Sequence, residues 1–364
     1  MRVRFILIAL WFSILFLPFK GIKAAAILFI ALSIIIPFTN SLLKHLKKAK
    51  FPAIPLTRYS LLVTRYLLLL SLFIFPFITT DYFIDVAILA GIYIILALGL
   101  NVVVGFAGLL NLGFVAFYAI GAYTYALLNT KFGLDFWSAL PFSIGLTTVA
   151  GFLLAIPALR LRGDYLAIVT LGFGEIVRLI LNNWDSMTRG PNGISGIAPP
   201  VIMSISLSKL SFYYYFVLLF VILTVFITTR VYSSRIGRAW VAIREDEIAS
   251  SAMGINTTMY KLYAFAFGAF WAGFAGVIFA GKMQFVSPES FTFMESVLIL
   301  IMVILGGLGS IPGVILGAII LVLLPEILRE VQLYRMLALG SGLVLLMIFR
   351  PQGLLGGKGV SLRS

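Results

Sequence analysis

Residues 84–104 read IDVAILAGIYIILALGLNVVV, an apolar run in which Asp85 is the one charged residue. A helix that crosses a bilayer needs about 20 consecutive, mostly apolar residues. Its backbone N–H and C=O groups bond within the segment, because the hydrocarbon core offers them no water. This run therefore predicts a membrane-spanning helix.

The rest of the chain has the same character. Of its 364 residues, 62% are hydrophobic and 11% are charged, and the mean hydropathy is +1.11; soluble domains carry about 25% charged residues. We predict an all-α polytopic membrane protein with about 10–12 transmembrane helices. The predicted spans are 5–19, 22–38, 61–79, 84–104, 108–128, 136–158, 165–183, 211–230, 258–281, 291–305, 312–325 and 334–349. We expect the apolar N-terminal run to be a retained span rather than a cleaved signal peptide.

The net charge of +14 has a simple explanation in such a protein. Lysine and arginine collect in the cytoplasmic loops of membrane proteins, so the charge does not indicate nucleic-acid binding. With a cytoplasmic N-terminus and alternating spans, most of the 27 lysines and arginines fall on the cytoplasmic side. This predicts a multi-pass protein of the cytoplasmic (inner) membrane with both termini in the cytoplasm.

Several kinds of chemistry are not expected. There are no cysteines, and the single histidine, His45, lies in a basic stretch, so we predict neither a thiolate nor a histidine metal site. The nucleotide-binding pattern Gly-x-x-x-x-Gly-Lys-Ser/Thr does not occur. We therefore expect no catalytic residues and no cofactor, and any use of ATP would need a separate protein.

A charged stretch at about 231–257 interrupts the apolar runs. Ile236, Trp240, Ile243 and Ile248 recur there at near-helical spacing beside charged residues, which predicts a short amphipathic helix outside the membrane. We expect Gly254 to end it, and Asn256 or Thr257 to cap the next span. Such a helix either docks a cytoplasmic partner in a groove or rests on lipid headgroups.

Two polar features lie within apolar runs. Asn101 and Asn111 occur among glycines in residues 99–121; glycines permit either close helix packing or a broken helix whose free backbone groups bind substrate. Glu175 and Arg178 stand three positions apart, so they share a helix face and can pair. Such residues either line a translocation path or brace helices, and Asn111 is the leading candidate for the path.

Two further stretches contain helix-breaking residues. Residues 302–317 combine glycines with Pro312, which predicts either a tight cytoplasmic turn or a re-entrant element lining the path. Residues 188–197 read TRGPNGISGI and predict a turn-rich external loop. That loop either meets an extracytoplasmic delivery protein or only connects two spans.

Together these stretches resemble the permease subunits of branched-chain amino acid ABC importers, the high-affinity leucine, isoleucine and valine type. The runs that carry the resemblance are GLNVVVGFAGLLNLGFVAFYAIGAYTYALL, RLRGDYLAIVTLGFGEIVRLILNNW, RGPNGISGI, SRIGRAWVAIREDEIASSAMGINTTMYKLYAFAFGAFWAGFAGVIFA and SVLILIMVILGGLGSIPGVILGA. The resemblance implies a permease core at 81–355, preceded by a variable transmembrane region at 1–80 and followed by a cytoplasmic tail at 356–364.

The resemblance also implies roles and partners. Glu247-Ile-Ala249-x-x-x-x-Gly254 is similar to the loop through which ABC permeases contact their ATPase, although Ile248 stands where a second alanine is common. The implied ATPase-coupling residues are Arg244, Glu245, Glu247, Ala249 and Gly254. The implied partners are two cytoplasmic ABC ATPase subunits, a homologous second permease and an extracytoplasmic substrate-binding protein.

The substrate and mechanism leave alternatives. Branched-chain amino acids are the implied cargo, but similar permeases carry urea, short amides or other amino acids. An ion-coupled secondary transporter would need titratable groups deep in the membrane, for which the sequence offers Glu175 and Glu295. A membrane scaffold without transport is the third hypothesis.

Overall fold

A computed structural model describes residues 72–158, 161, 163–202, 205–206, 209–327, 340 and 353–355. The contacts divide the chain into Met1–Leu72 and Phe73–Ser364, and nearly all the described residues belong to the second unit. The predicted spans 5–19, 22–38, nearly all of 334–349 and most of 61–79 lie outside the described residues. The predicted domain limits at 80 and 355 stay predictions.

The described residues are mainly helical. The helices are α1 (Asp81–Leu100), α2 (Phe114–Phe132), α3 (Phe136–Ala158), α4 (Asp164–Asn183), α5 (Asp185–Thr188), α6 (Leu210–Ser233), α7 (Arg235–Glu245), α8 (Glu247–Ala252), α9 (Thr257–Met283), α10 (Phe293–Gly306) and α11 (Ile311–Ile327). A π-helical segment, Asn101–Phe106, extends α1, and short 3₁₀ turns occupy Gly190–Asn192 and Pro288–Phe291.

Four of these helical stretches are long and apolar enough to cross a membrane. They are Asp81–Phe106, Phe136–Ala158, Leu210–Ser233 and Thr257–Met283, and α10 and α11 are shorter apolar helices. The all-α polytopic membrane fold predicted from the sequence is confirmed. Helix α3 has the predicted limits, and the limits of α4 and α9 differ from the prediction by no more than two residues.

Helix α2 differs from the predicted span 108–128. Helix α2 begins only at Phe114 and continues to Phe132, because residues 107–113 leave the helix. Gly108 has φ +71 there, a conformation that glycine adopts without steric cost. The π-helical segment just before it widens the last turns of α1, and such segments often mark functional sites.

Helix α9 lies at the centre of the bundle, packed against α1, α2 and α3. Glycines allow this close approach: a methyl group at Gly121 would overlap the backbone of Gly273, and one at Gly276 would overlap the carbonyl of Tyr118. Small residues at such crossings let helix backbones come into van der Waals contact. This packing fixes the ends of the helices, where the polar residues lie.

The two ends of the bundle differ. One end, the β face, carries residues 184–202 and the strands β1 (Ile194–Ser195), β2 (Val201–Ile202), β3 (Ile205–Ser206) and β4 (Phe285–Val286). Strand β1 pairs antiparallel with β4, Ile194 opposite Val286, and β2 pairs with β3. The other end, the α7–α8 face, carries α7, α8 and the turns at 101–113 and 307–310.

Candidate functional site

A capping aspartate divides the predicted amphipathic helix into α7 and α8. Asp246 has extended backbone angles, φ −155 and ψ 110, and its Oδ1 accepts hydrogen bonds from the backbone N–H groups of Ile248 and Ala249, each at 2.9 Å. An aspartate that binds these first N–H groups starts a new helix. Ser234 caps α7 in the same way, accepting from Ile236 and Gly237.

The apolar residues of this pair do not share one surface. Trp240 and Ile243 are buried against their own bundle, and the Trp240 indole donates a hydrogen bond to the carbonyl of Tyr260 at 2.7 Å. Ile248 and Met253 are 71% and 83% exposed. The outward apolar surface of the pair therefore lies on and just after α8, and the apolar side of α7 anchors it.

The end of α8 follows the sequence prediction. Gly254 has φ +85, the left-handed conformation that commonly ends a helix. Asn256 caps α9, its side-chain oxygen accepting from the backbone N–H of Met259 at 3.1 Å. Glu247 forms an ion pair with Lys261 of α9 at 2.6 Å, and the Lys261 side chain is only 7% exposed. These contacts tie α8 to the central helix.

Arg244 is an exposed residue of α7 whose guanidinium reaches the end of α1. Its Nη1 donates a hydrogen bond to the backbone carbonyl of Gly105, in the π-helical segment. The arginine stem covers Gly108, where an added methyl carbon would lie 2.9 Å from the Arg244 Cγ. A cation near the end of a helix both neutralises its exposed carbonyls and interacts favourably with the helix dipole. Arg244 thus joins α7 to the end of α1.

Asn101 extends this junction to the turn between α10 and α11. Its Oδ1 accepts a hydrogen bond from the backbone N–H of Gly309 at 2.9 Å, and the side chain is fully buried. A methyl group at Gly105 would overlap both the Asn101 amide and the Gly309 nitrogen. Arg244, Gly105, Asn101 and Gly309 therefore form one contact group, which we call the Arg244 junction.

Asn111 lies in the break before α2. It is fully buried, and its Oδ1 accepts from the backbone N–H of Gly113 at 3.0 Å. Side chains of other helices bind the neighbouring N–H groups: Thr170 accepts from Leu112, and Ser296 accepts from Val115. The Asn111 amide nitrogen has no hydrogen-bond partner among the described residues.

Glu175 and Arg178 pair on α4, as the spacing predicts. The Arg178 Nε and Nη2 lie 2.9 and 2.8 Å from the Glu175 Oε2, and each side chain is 33% exposed. Several apolar residues of α4, among them Ile176 and Leu179, are about half exposed. The ion pair therefore lies beside an open apolar surface of the helix.

The structure thus separates the predicted site residues. The predicted coupling residues lie on α7, α8 and the turn after α8, and the predicted path residue Asn101 belongs to the Arg244 junction. Asn111 and the α4 ion pair lie outside that junction. Sequence reasoning missed the partners of Arg244, since glycines carry no chemical signature. It also missed an ion pair between Asp85 and Lys282. The sequence indicated this pair only by a charged residue at one end of each of two apolar runs, 84–104 and 258–281.

These features define a class: an all-α polytopic membrane protein that carries a short helix pair at one end of its bundle. The chain belongs to the family described as branched-chain amino acid transport system / permease component, which matches residues 82–349.

Named relatives agree with this assignment. The high-affinity branched-chain amino acid transport system permease protein LivM of Salmonella typhimurium is 47% identical over 344 residues, covering 88% of this chain and 81% of that protein. Escherichia coli LivM is 50% identical, covering 77% and 71%. Escherichia coli LivH, a permease protein of the same named system, is 27% identical, covering 74% and 92%. No solved structure matches the chain.

Proposed function

We propose that this chain is the membrane-spanning subunit of an ATP-driven importer of branched-chain amino acids, and that its α7–α8 pair receives the ATPase. The observation that carries the proposal is the Arg244 junction. A displacement of α7 would be transmitted to the end of α1 through the hydrogen bond from Arg244 to Gly105. Asn101 would transmit it further to the α10–α11 turn.

The outward surface of the pair suits a docking groove. Ile248 and Met253 are highly exposed apolar side chains on a charged, water-facing element. A helix commonly inserts such residues into a hydrophobic groove of its partner. Glu245, at the end of α7, and Ala249, on α8, are exposed on the same short element, where they would contact the ATPase directly.

Charge favours a cytoplasmic position for the α7–α8 face. Arg230, Arg235, Arg238 and Arg244 lie at this end of the bundle, and basic residues favour the cytoplasmic side. The β face then lies outside the cell, where a substrate-binding protein would deliver cargo to residues 184–202. Both termini would be cytoplasmic in an inner-membrane protein.

A second, homologous permease would complete the path. Relatives of this chain in one organism include two different permeases, LivM and LivH, of the same named system. An ion pair within a membrane helix normally faces protein or water, because charge is costly in lipid. We propose that the second permease covers α4 and encloses Glu175 and Arg178. Asn111, buried behind α4, would serve that path by holding the start of α2.

The decisive test is reconstitution in proteoliposomes with two ATPase subunits, the second permease and the binding protein. We expect ATP-dependent uptake of leucine, isoleucine and valine that a protonophore leaves unchanged. Uptake by this chain alone, or abolition by the protonophore with ATP maintained, would favour the ion-coupled alternative. Saturable uptake of urea or a short amide in preference to leucine would instead change the substrate assignment.

A further inference from the structure

A cavity of about 330 Å³ opens on the β face, between the first turn of α1, the start of α6 and the end of α9. It lies at the opposite end of the bundle from the Arg244 junction and includes none of the residues assigned to coupling or to the path. Its lining residues include Asp85, Ile88, Pro199, Leu210, Tyr213 and Lys282. Pockets that hold small molecules measure roughly 300–1,000 Å³, so this one has room for a small ligand.

Two opposite charges form one wall of the cavity. The Lys282 ammonium lies 2.7 Å from the Asp85 Oδ1. The lysine side chain is 9% exposed, whereas the aspartate side chain is 41% exposed. A buried ammonium without a partner is strongly destabilising, and Asp85 supplies the partner of Lys282. A ligand that displaced this bond would have to bring both a carboxylate and a cation.

Apolar groups form the floor. Pro199 and Leu210 are partly exposed, whereas Ile88, one helical turn deeper than Asp85 on α1, is fully buried and Tyr213 of α6 is 4% exposed. The Tyr213 hydroxyl donates a hydrogen bond to the carbonyl of Ile278, so the ring, rather than a polar atom, contributes to the floor. The cavity therefore combines two opposite charges at its wall with an aliphatic and aromatic base.

We propose that this cavity binds a zwitterionic α-amino acid with an aliphatic side chain. The ligand carboxylate accepts from the Lys282 ammonium, the ligand ammonium donates to the Asp85 carboxylate, and the side chain packs on the partly exposed Pro199 and Leu210. One ion pair is thereby exchanged for two, and apolar surface is buried as well. The proposal rests on the proposed function, since it places an early substrate contact on the side where an importer receives its cargo.

The cysteine-free sequence offers a direct test. Leu210→Cys places one thiol at the cavity, and Phe132→Cys places a control thiol on the same face but outside the cavity lining. The assembled complex, in nanodiscs and without binding protein, is treated with a thiol reagent, and labelling of this chain is followed by mass spectrometry. At a leucine concentration about ten times the half-protecting one, labelling of Leu210→Cys should slow roughly tenfold. Equal rates with and without leucine would overturn the proposal.

Ligand analogues assign the two charges. Leucinamide lacks the carboxylate, and 4-methylpentanoate lacks the ammonium. For each analogue, the concentration that half-protects Leu210→Cys should be at least about ten times that of leucine, since each analogue loses one charge-assisted hydrogen bond. Lys282→Met should abolish the preference for leucine over leucinamide. Asp85→Asn should abolish the preference for leucine over 4-methylpentanoate. Unchanged preferences in both variants would contradict the assignment.

The competing explanation is that the ion pair only braces α1 against α9. Asp85→Leu combined with Lys282→Met removes both charges of this half-buried pair together, and replacing an ion pair by apolar residues of similar size is often neutral for stability. We expect the double variant to assemble normally and to lose protection by leucine; retained protection would overturn the proposal. ATP-driven leucine uptake, measured on the same preparation with binding protein added, tests the proposed function separately: uptake without protection would reject the cavity site alone.

Discussion

The Arg244 guanidinium donates a hydrogen bond to the backbone carbonyl of Gly105 across 139 positions of sequence. The bond links the amphipathic helix α7 to the π-helical end of α1, a membrane-spanning helix buried along most of its length. Asn101 carries the same connection to Gly309. Two side chains, Arg244 and Asn101, thus connect the proposed docking element to two turns at the end of the membrane bundle.

Gly105→Ala should destabilise the protein. The added methyl group would overlap the Asn101 amide and the Gly309 nitrogen, and overpacking of this kind costs about 1–3 kcal/mol. We expect a lower temperature of half-inactivation in detergent. Gly145→Ala, at a helical position of α3 with no neighbouring atom within 4 Å, is the matched control and should leave that temperature unchanged or raise it. Equal effects of the two changes would argue against a packed junction.

Ile248→Asp should weaken binding of the ATPase. The side chain is 71% exposed, so the change leaves the fold intact, but a carboxylate would not enter an apolar groove without losing its hydration. Removing a central apolar contact of an interface typically costs about 2 kcal/mol or more. Co-purification of the ATPase measures this effect. Ile236→Asp, at the start of α7 with a 38% exposed side chain, is the control; equal losses would move the interface away from α8.

Gly254→Arg should uncouple ATP hydrolysis from transport. Gly254 has φ +85 and no neighbouring atom that a methyl group would touch, so the change adds backbone strain and a charge, and its first side-chain carbon meets no neighbouring atom. Asparagine tolerates this conformation, and Gly254→Asn should therefore retain most transport. The measurement is substrate transported per ATP hydrolysed in proteoliposomes. Normal transport by Gly254→Arg, with insertion confirmed, would contradict the docking assignment.

Glu175→Gln should show whether the Glu175–Arg178 ion pair on α4 braces the helices or lines the translocation path. Glu175→Gln leaves the Arg178 cation without its anionic partner. If the second permease covers this pair, a photo-crosslinker at Ile176 should join the two permeases, whereas one at Leu153 on α3, which is 63% exposed, should label lipid. Altered substrate selectivity of Glu175→Gln in a normally assembled complex would indicate a path role, and loss of assembly would indicate bracing. Lipid adducts at both positions would place α4 outside the permease interface.

Where single runs are long and apolar, the sequence predicted the helices closely. The run at 136–158 became α3 with the same limits, because a span is set by its own hydropathy and length. The prediction for the run at 108–128 was wrong, because Gly108 turns the chain out of the helix and the backbone N–H of Leu112 bonds to the Thr170 hydroxyl of another helix, a contact that no local pattern encodes. Local capping by Asn256 was foreseeable from its position before an apolar run.

The candidate site was predictable only in part. In residues 231–257, apolar residues recur at near-helical spacing beside charged ones, so the sequence alone predicted an amphipathic element. The break at Asp246 shifts the helical phase between α7 and α8. Trp240 therefore faces the bundle while Ile248 faces outward. The Arg244 partner is a backbone carbonyl, a group that every residue carries, so only the three-dimensional structure singles out Gly105.

Arg244→Gln tests the central claim most directly. Arg238→Gln is the control, because within the described residues the Arg238 side chain donates a hydrogen bond only to the nearby Ser233 carbonyl. The quantity to measure is the ratio of leucine imported to ATP hydrolysed in the reconstituted complex. A charged hydrogen bond contributes about 1.5–3 kcal/mol, so we expect this ratio to fall roughly tenfold or more for Arg244→Gln, with the ATPase still bound, and to stay unchanged for Arg238→Gln. An unchanged ratio for Arg244→Gln would contradict the account.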